Sequence, residues 1–167
     1  EDSTIDAFLS HFGIVRVGMF DTLYETPPLL TGRKPRRGKG GKVAVLTTTG
    51  GGGAMVVDCL GSLGVSIAPV SKAVREVLAR HKLTVGTGGL IDLTMAGTDA
   101  VVVGDIMSAL MAAANIDAVV MVVGSSAQFH PELAVAPLKR WADAPKPLAV
   151  HLAPEAADSA RMLADAG

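Results

Sequence analysis

From residue 42 onward the chain alternates between short, uninterrupted apolar runs and longer stretches whose apolar positions fall three and four apart. The first pattern predicts strands over 43–46, 65–68, 118–123 and 147–151; the second predicts helices over 52–63, 71–80, 99–115, 131–142 and 154–166. Ser71 stands where an N-cap belongs, and 81–94 reads as a loop. Strands that are apolar throughout, set between amphipathic helices, imply a parallel sheet covered on both faces. Right-handed crossovers then give an α/β three-layer sandwich with a mainly parallel sheet, flavodoxin-like or Rossmann-like in layout. Ahead of this, Ile5, Phe8, Leu9 and Phe12 have helical spacing over 3–11, with Ser3 or Thr4 as N-cap and Gly13 as terminator. A short strand over 14–17 follows, then a helix over 21–30 broken by Pro27-Pro28. The expected organisation is an N-terminal helix, strand and basic linker over 1–41, packing on a main domain over 42–167.

Ligands in such sheets bind beyond the carboxyl ends of the strands. Three loops rich in glycine or hydroxyl groups fall there. The first is Thr47-Thr48-Thr49-Gly50-Gly51-Gly52-Gly53-Ala54, a strand-to-helix turn. Unpaired N–H groups and the positive end of a helix dipole make such a turn an anion cradle, and glycines let an oxyanion approach closely. Thr49, Gly50, Gly51, Gly52 and Gly53 are its candidate binding residues. The other two loops carry Thr87, Gly88 and Gly89, and Gly124, Ser125 and Ser126, which would line the same edge. A glycine-rich turn that binds nothing is the bland alternative.

Two familiar loops are excluded. No Lys-Ser or Lys-Thr follows the glycines, so this is not a P-loop. Met55 stands where a dinucleotide fingerprint needs its third glycine, and no acidic ribose reader closes the next strand. FMN is disfavoured by the scarcity of aromatic residues, which make up 4% of the chain.

At 167 residues the chain suits a single sizeable core. A formal charge of −1 gives no electrostatic case for nucleic acid, and the one basic cluster, Arg33-Lys-Pro-Arg-Arg-Gly-Lys39, reads as a solvated loop. The lone Cys59, placed on the apolar face of the first core helix, fits a reducing compartment. With no signal peptide or long apolar span, a soluble cytoplasmic protein without membrane contact is expected. The start at Glu1 and the stop at Gly167, just after a helix-like run, suggest a piece of a longer polypeptide.

Reactive residues are sparse. His11 ends a helix, His81 lies in a polar loop, and His151 follows an apolar strand and could line the ligand edge. His130, at a helix start after Gly124-Ser-Ser-Ala-Gln-Phe, is the best local candidate for chemistry, against the commoner role of a helix-entry residue. No His or Cys pair has metal-ligand spacing, so no metal site is expected. Gly124-Ser-Ser-Ala127 lacks the second glycine of a nucleophile elbow.

The ordered set of motifs carries more than any one of them. Ala7-Phe-Leu-Ser-His-Phe-Gly-Ile-Val-Arg-Val17, a Pro-bearing linker, Gly41-Lys-Val-Ala-Val-Leu-Thr-Thr-Thr-Gly-Gly-Gly-Gly-Ala54, Asp58, Gly64 and Ile91-Asp92-Leu93-Thr94 together resemble the NDP-forming acyl-CoA synthetases. That family includes ADP-forming acetate–CoA ligases and is related to succinyl-CoA synthetase. The resemblance spans essentially the whole chain and points to the flavodoxin-like ligase domain that follows the CoA-binding and phosphohistidine-bearing domains. It implies a parent that uses CoA, ATP or GTP and Mg2+ to join an acid to CoA through a phosphohistidine and an acyl phosphate. The ATP-grasp partner would be fused or separate, and homo-oligomer formation is left open. The helix beginning at Gly51 to Gly53 matches one of the two facing helices whose N-termini hold the phosphohistidine. The family's His-Thr-Gly segment is absent, so no histidine here inherits that role, and no catalytic residue is expected in this chain. The isolated domain should be inactive.

This sequence departs from the family in two places. The family's Thr-Asn-x-Gly-Gly-x-Gly is replaced by three threonines and four glycines, and its Asn-Pro-Val-Asp-Leu-Thr by Gly88-Gly-Leu-Ile-Asp-Leu-Thr94. Two other readings therefore stand beside the ligase: a silent acyl-CoA- or nucleotide-sensing domain of a protein acetyltransferase fusion, and a module for subunit association alone. Asp92 is expected to organise its own loop rather than perform acid–base work.

Overall fold

The computed structural model describes residues 2–31 and 41–167, which fall in two units, Glu1–Arg37 and Gly38–Gly167. The basic cluster of 33–39 lies outside the described residues. In the first unit, α1 (Asp2–His11) begins one residue earlier than expected, which puts Ser3 and Thr4 inside the helix rather than at its cap. Gly13 does end it: at φ +67° it lets the Ile14 N–H turn back to Leu9 O at 2.9 Å. Residues 14–17 form no strand. Arg16 ties this extended segment to α1 instead, with Nη1 2.7 Å from Asp6 and Nη2 2.8 Å from Asp2. A strand needs a neighbour to bond with, and β-propensity alone supplies none. The second helix, α2 (Phe20–Leu30), runs through Pro27-Pro28 rather than breaking there. Each proline forfeits one N–H bond, but its fixed φ is helical. Thr31 closes the end, its N–H and Oγ1 both donating to Pro27 O at 2.9 and 2.7 Å.

The second unit is built on five parallel strands: β1 (Lys42–Thr47), β2 (Ser66–Ile67), β3 (Ile91–Asp92), β4 (Ala118–Val123) and β5 (Leu148–Leu152). Their order is β2-β1-β4-β5, with β3 pairing the upper part of the β1 edge that β2 pairs below. Val43 faces Ile67 and Thr47 faces Asp92, so two short strands share one position in the sheet. This is the α/β fold that the alternation predicts. The chain moves outward from β1 to β2 and then back past it to β4. The sheet therefore reverses direction between β1 and β4, and that point lies at the ends of Thr47 and Val123.

Helices α3 (Gly50–Ser62), α4 (Lys72–Arg80), α5 (Ala100–Ala112) and α8 (Ala157–Ala164) connect or follow the strands. The main core packs Leu46, Met121 and Val123 against Val74 and Leu78 of α4 and Ile106, Met107 and Leu110 of α5. A smaller core on the opposite face packs Val43, Val45 and Val122 under Val56, Val57 and Leu60 of α3. Ser71 caps α4, its Oγ accepting the Val74 N–H at 3.3 Å, and Asp99 caps α5 through the Val101 and Val102 N–H groups at 2.8 and 3.2 Å. Lys146 reaches the far end of α5, where its Nζ donates to Leu110 O and Ala113 O. Partial burial there lowers its pKa from the ordinary 10.5.

Several boundaries differ from the sequence reading. The expected loop over 81–94 contains a 3-10 turn, Thr87–Gly89, and β3, and a second 3-10 turn, Thr94–Thr98, follows. The expected helix over 131–142 is two short pieces, α7 (Pro131–Ala134) and a 3-10 turn over Ala136–Trp141, and a further short helix, α6 (Ser126–Phe129), precedes them. Pro137 offers no N–H to continue α7. Cys59 is exposed rather than on the buried face, because α3 turns Val56, Val57 and Leu60 inward. Among the described residues no helix is long and apolar enough to cross a membrane.

Candidate functional site

The site forms where β1 ends. Thr47 is fully buried and acts as the knot of the turn. Its Oγ1 accepts the Thr49 N–H at 3.0 Å and donates toward Thr49 O at 2.8 Å, with Val122 O at 3.2 Å as an alternative acceptor. Thr48 binds the neighbouring strand twice. Its N–H donates to Val122 O and its Oγ1 accepts the Gly124 N–H, both at 2.9 Å. The β1 and β4 ends are thus bolted together at the point where the sheet reverses.

Thr49 is the N-cap of α3 by backbone (φ −138°, ψ 104°), but its side chain makes no capping bond. Thr49 O receives the Gly53 N–H at 2.8 Å. The N–H groups of Gly50, Gly51 and Gly52 precede the first intrahelical bond and meet no acceptor among the described residues. Gly50 and Gly51 are exposed. Three free donors thus stand at the positive end of a 13-residue helix, an arrangement that favours an anion.

The glycines serve different purposes. A Cβ on Gly51 would meet nothing within 4 Å. One on Gly52 would stand 2.8 Å from Thr49 Cγ2, and one on Gly53 would stand 2.8 Å from Thr47 Cγ2 and 3.1 Å from Leu90 Cδ1. Gly124 is as tight, with Thr49 Cβ at 3.0 Å. Gly97, in the second 3-10 turn, leaves room for the Thr48 methyl, which a Cβ there would overlap. Gly52, Gly53, Gly97 and Gly124 are therefore sockets for the three threonines, whereas Gly51 opens outward.

Asp92 ends β3 beside this cradle. Its Oδ1 accepts the Thr94 N–H at 2.9 Å, so it does organise its own turn. Its Oδ2 lies 3.0 Å from where a Cβ of Gly50 would be. A carboxylate this close to the start of α3 already interacts favourably with the helix dipole, and an incoming anion has to share that field with it.

The remaining sequence candidates are placed as follows. Gly124 belongs to the knot; Ser125 is exposed and makes no capping bond, and Ser126 starts α6. The turn Thr87–Gly89 packs on β2, where a Cβ on Gly89 would lie 3.3 Å from Ala68 O; Leu90 and Asp92 are the residues of this stretch that reach α3. His130 is a junction residue. It ends α6 with its N–H on Ser126 O (2.8 Å), and its carbonyl starts α7 by receiving Leu133 and Ala134. His81 pairs with Asp105 at 2.9 Å, away from the cradle. His151 is exposed on β5, in register with Val122 and through it with Thr47. Among the described residues no cluster of His, Cys, Asp or Glu could hold a metal. Sequence reasoning missed Gly97, Thr47 and Thr48 as builders of the site; the run of three threonines was the available signal.

No protein-family model matches this chain, and no curated protein is similar to it in sequence. Solved structures are similar in fold. A "dinucleotide forming" acetyl-coenzyme A synthetase 1 of Candidatus Korarchaeum cryptofilum, in complex with phosphate and ADP, superposes with a TM-score of 0.74 over 98% of this chain at 17% identity. Its apo form gives 0.72 at 18% identity, and the PH0766 protein of Pyrococcus horikoshii OT3 gives 0.67 at 16% identity. This chain covers 36% of the first two chains and 42% of the third. The likeness establishes the fold, which is that of one portion of these longer chains.

Proposed function

We propose that this chain is the flavodoxin-like ligase domain of an NDP-forming acyl-CoA synthetase, and that the start of α3 receives the phosphohistidine of its parent. The observation that carries the reading is the trio of free N–H groups on Gly50, Gly51 and Gly52, held at the reversal point of the sheet by the Thr47–Thr48–Gly124 knot. The family resemblance of the motifs and the fold shared with an acetyl-coenzyme A synthetase support it. In the parent, acid, CoA and ATP would give acyl-CoA, ADP and phosphate, with CoA, the nucleotide and Mg2+ bound by other domains. This chain would contribute charge-assisted hydrogen bonds to the phosphoryl oxygens. Each such donor is worth roughly 2–4 kcal/mol where charge develops in a water-poor site. Thr49 would set the height of the cradle, and Gly124, Ser125 and Ser126 would border it.

The test is phosphorylation of the full-length parent, with its ATP-grasp domain, by labelled ATP. Acid-labile, base-stable phosphate is expected on the protein. It should be lost when Gly52→Val drives a side chain into Thr49, and kept with Gly51→Ala. Absence of label in the unaltered parent refutes the ligase reading.

A further inference from the structure

A second cavity of about 440 Å³ lies beside the end of β2, within the second unit and apart from the α3 cradle. It is lined by the apolar Ile67, Val70 and Val85, by Gly86, Gly88 and Gly89, and by Arg75 of α4. Arg75 is exposed, but its side chain is tied to the fold at one point. Its Nε donates to Val70 O at 3.0 Å, which pins the guanidinium plane at the cavity wall. Among the described residues no carboxylate pairs with it; the nearby Glu76 pairs with Lys72 at 3.9 Å. The two Nη groups, the fork that matches a planar carboxylate, are left unspent. In the turn that lines it, Gly88 and Gly89 have φ of +73° and +86°, a conformation that favours glycine, and a Cβ on Gly89 would lie 3.3 Å from Ala68 O.

From this we infer that the cavity is a binding site for a small organic carboxylate, its head on the Arg75 fork and its short apolar body against Ile67, Val70 and Val85. Both halves of the wall are needed for that assignment. A fork alone would accept any anion, but the apolar wall favours an anion that carries carbon. The volume falls within the range of small-molecule pockets. Pinning through Nε means that little side-chain freedom is lost on binding, which favours affinity. The inference does not rest on the phosphohistidine reading.

The experiment is a titration of the 15N-labelled chain with butyrate, butyramide and inorganic phosphate, read by amide and Arg Nε–H shifts. Butyrate should move Gly86, Gly88, Gly89 and the Arg75 Nε–H along one saturable curve. Butyramide should move them at least 10-fold more weakly, and phosphate should not reproduce the curve. Arg75→Gln should weaken butyrate at least 10-fold while the rest of the spectrum stays in place, and Arg75→Lys should recover part of the loss. Equal response to butyramide, an equal response to phosphate, or undiminished binding in Arg75→Gln would each overturn the assignment. Shifts at Gly50 to Gly52 report the other site, so the two readings fail separately.

Discussion

Gly51 and Gly53 lie two residues apart in the same turn of α3, yet the structure assigns opposite outcomes to the same substitution. Replacing a helical glycine with alanine gains up to about 1 kcal/mol when nothing else changes. At Gly51 nothing else changes, since a Cβ there has no neighbour within 4 Å. Gly51→Ala is expected to be neutral or stabilising. At Gly53 the new Cβ would stand 2.8 Å from Thr47 Cγ2 and 2.9 Å from Thr47 Cβ. Thr47 cannot swing aside without losing its bonds to Thr49. Overpacking of this kind costs typically 1–3 kcal/mol, and contacts this short belong at its upper end. Set against the helix gain, Gly53→Ala should lose about 2 kcal/mol. The assay is urea unfolding followed by Trp141 fluorescence; this tryptophan is the chain's one Trp and packs on the main core. Thr47→Ser removes the Cγ2 contact and keeps the hydroxyl, so the double variant should recover part of the loss. A Gly53→Ala protein as stable as Gly51→Ala, or no coupling between positions 47 and 53, would refute the socket argument.

Thr48→Val removes the acceptor of the Gly124 N–H while keeping the volume; a loss of about 1–2 kcal/mol and faster hydrogen exchange at the Gly124 amide are expected. Asp99→Ala strips the α5 cap and should cost about 1 kcal/mol in the same unfolding assay, with Asp99→Asn nearly neutral. The lowered pKa of Lys146 means that the unfolded chain binds more protons between the folded value and the ordinary 10.5. Stability from this residue therefore rises with pH across that window, and Lys146→Met should remove that increment from the pH–stability curve.

The order of strands and helices was legible because the apolar runs of the central strands β1 and β4 are largely buried, so burial pattern and periodicity agree there. The cap at Ser71 and the stop at Gly13 were legible for a local reason, since a hydroxyl or a positive φ acts within a few residues. The α3 cradle could be read as a chemical type from its glycines. Their division of labour could not, because the partners of Gly53, Gly97 and Gly124 are threonines brought in by folding. Residues 14–17 misled for the opposite reason: Ile14, Val15 and Val17 favour a strand, but Arg16 finds two carboxylates on α1 before the backbone finds a partner. Cys59 was misplaced because an all-apolar helix face gives no phase; only α3 resting on Val43, Val45 and Val122 sets which side is buried. The Arg75 cavity left no trace in the sequence, since it depends on the end of β2, the start of α4 and the glycines at 86, 88 and 89 coming together in the fold.

The central claim is that the first N–H groups of α3 hold a phosphoryl group attached to imidazole, and the most direct measurement is a titration of the 15N-labelled chain with N-phosphoimidazole. The account predicts saturable downfield shifts of the Gly50, Gly51 and Gly52 amides, weakened when Gly52→Val displaces Thr49. Shifts confined to other residues, or none at concentrations that saturate ordinary helix-terminus phosphate sites, would contradict it.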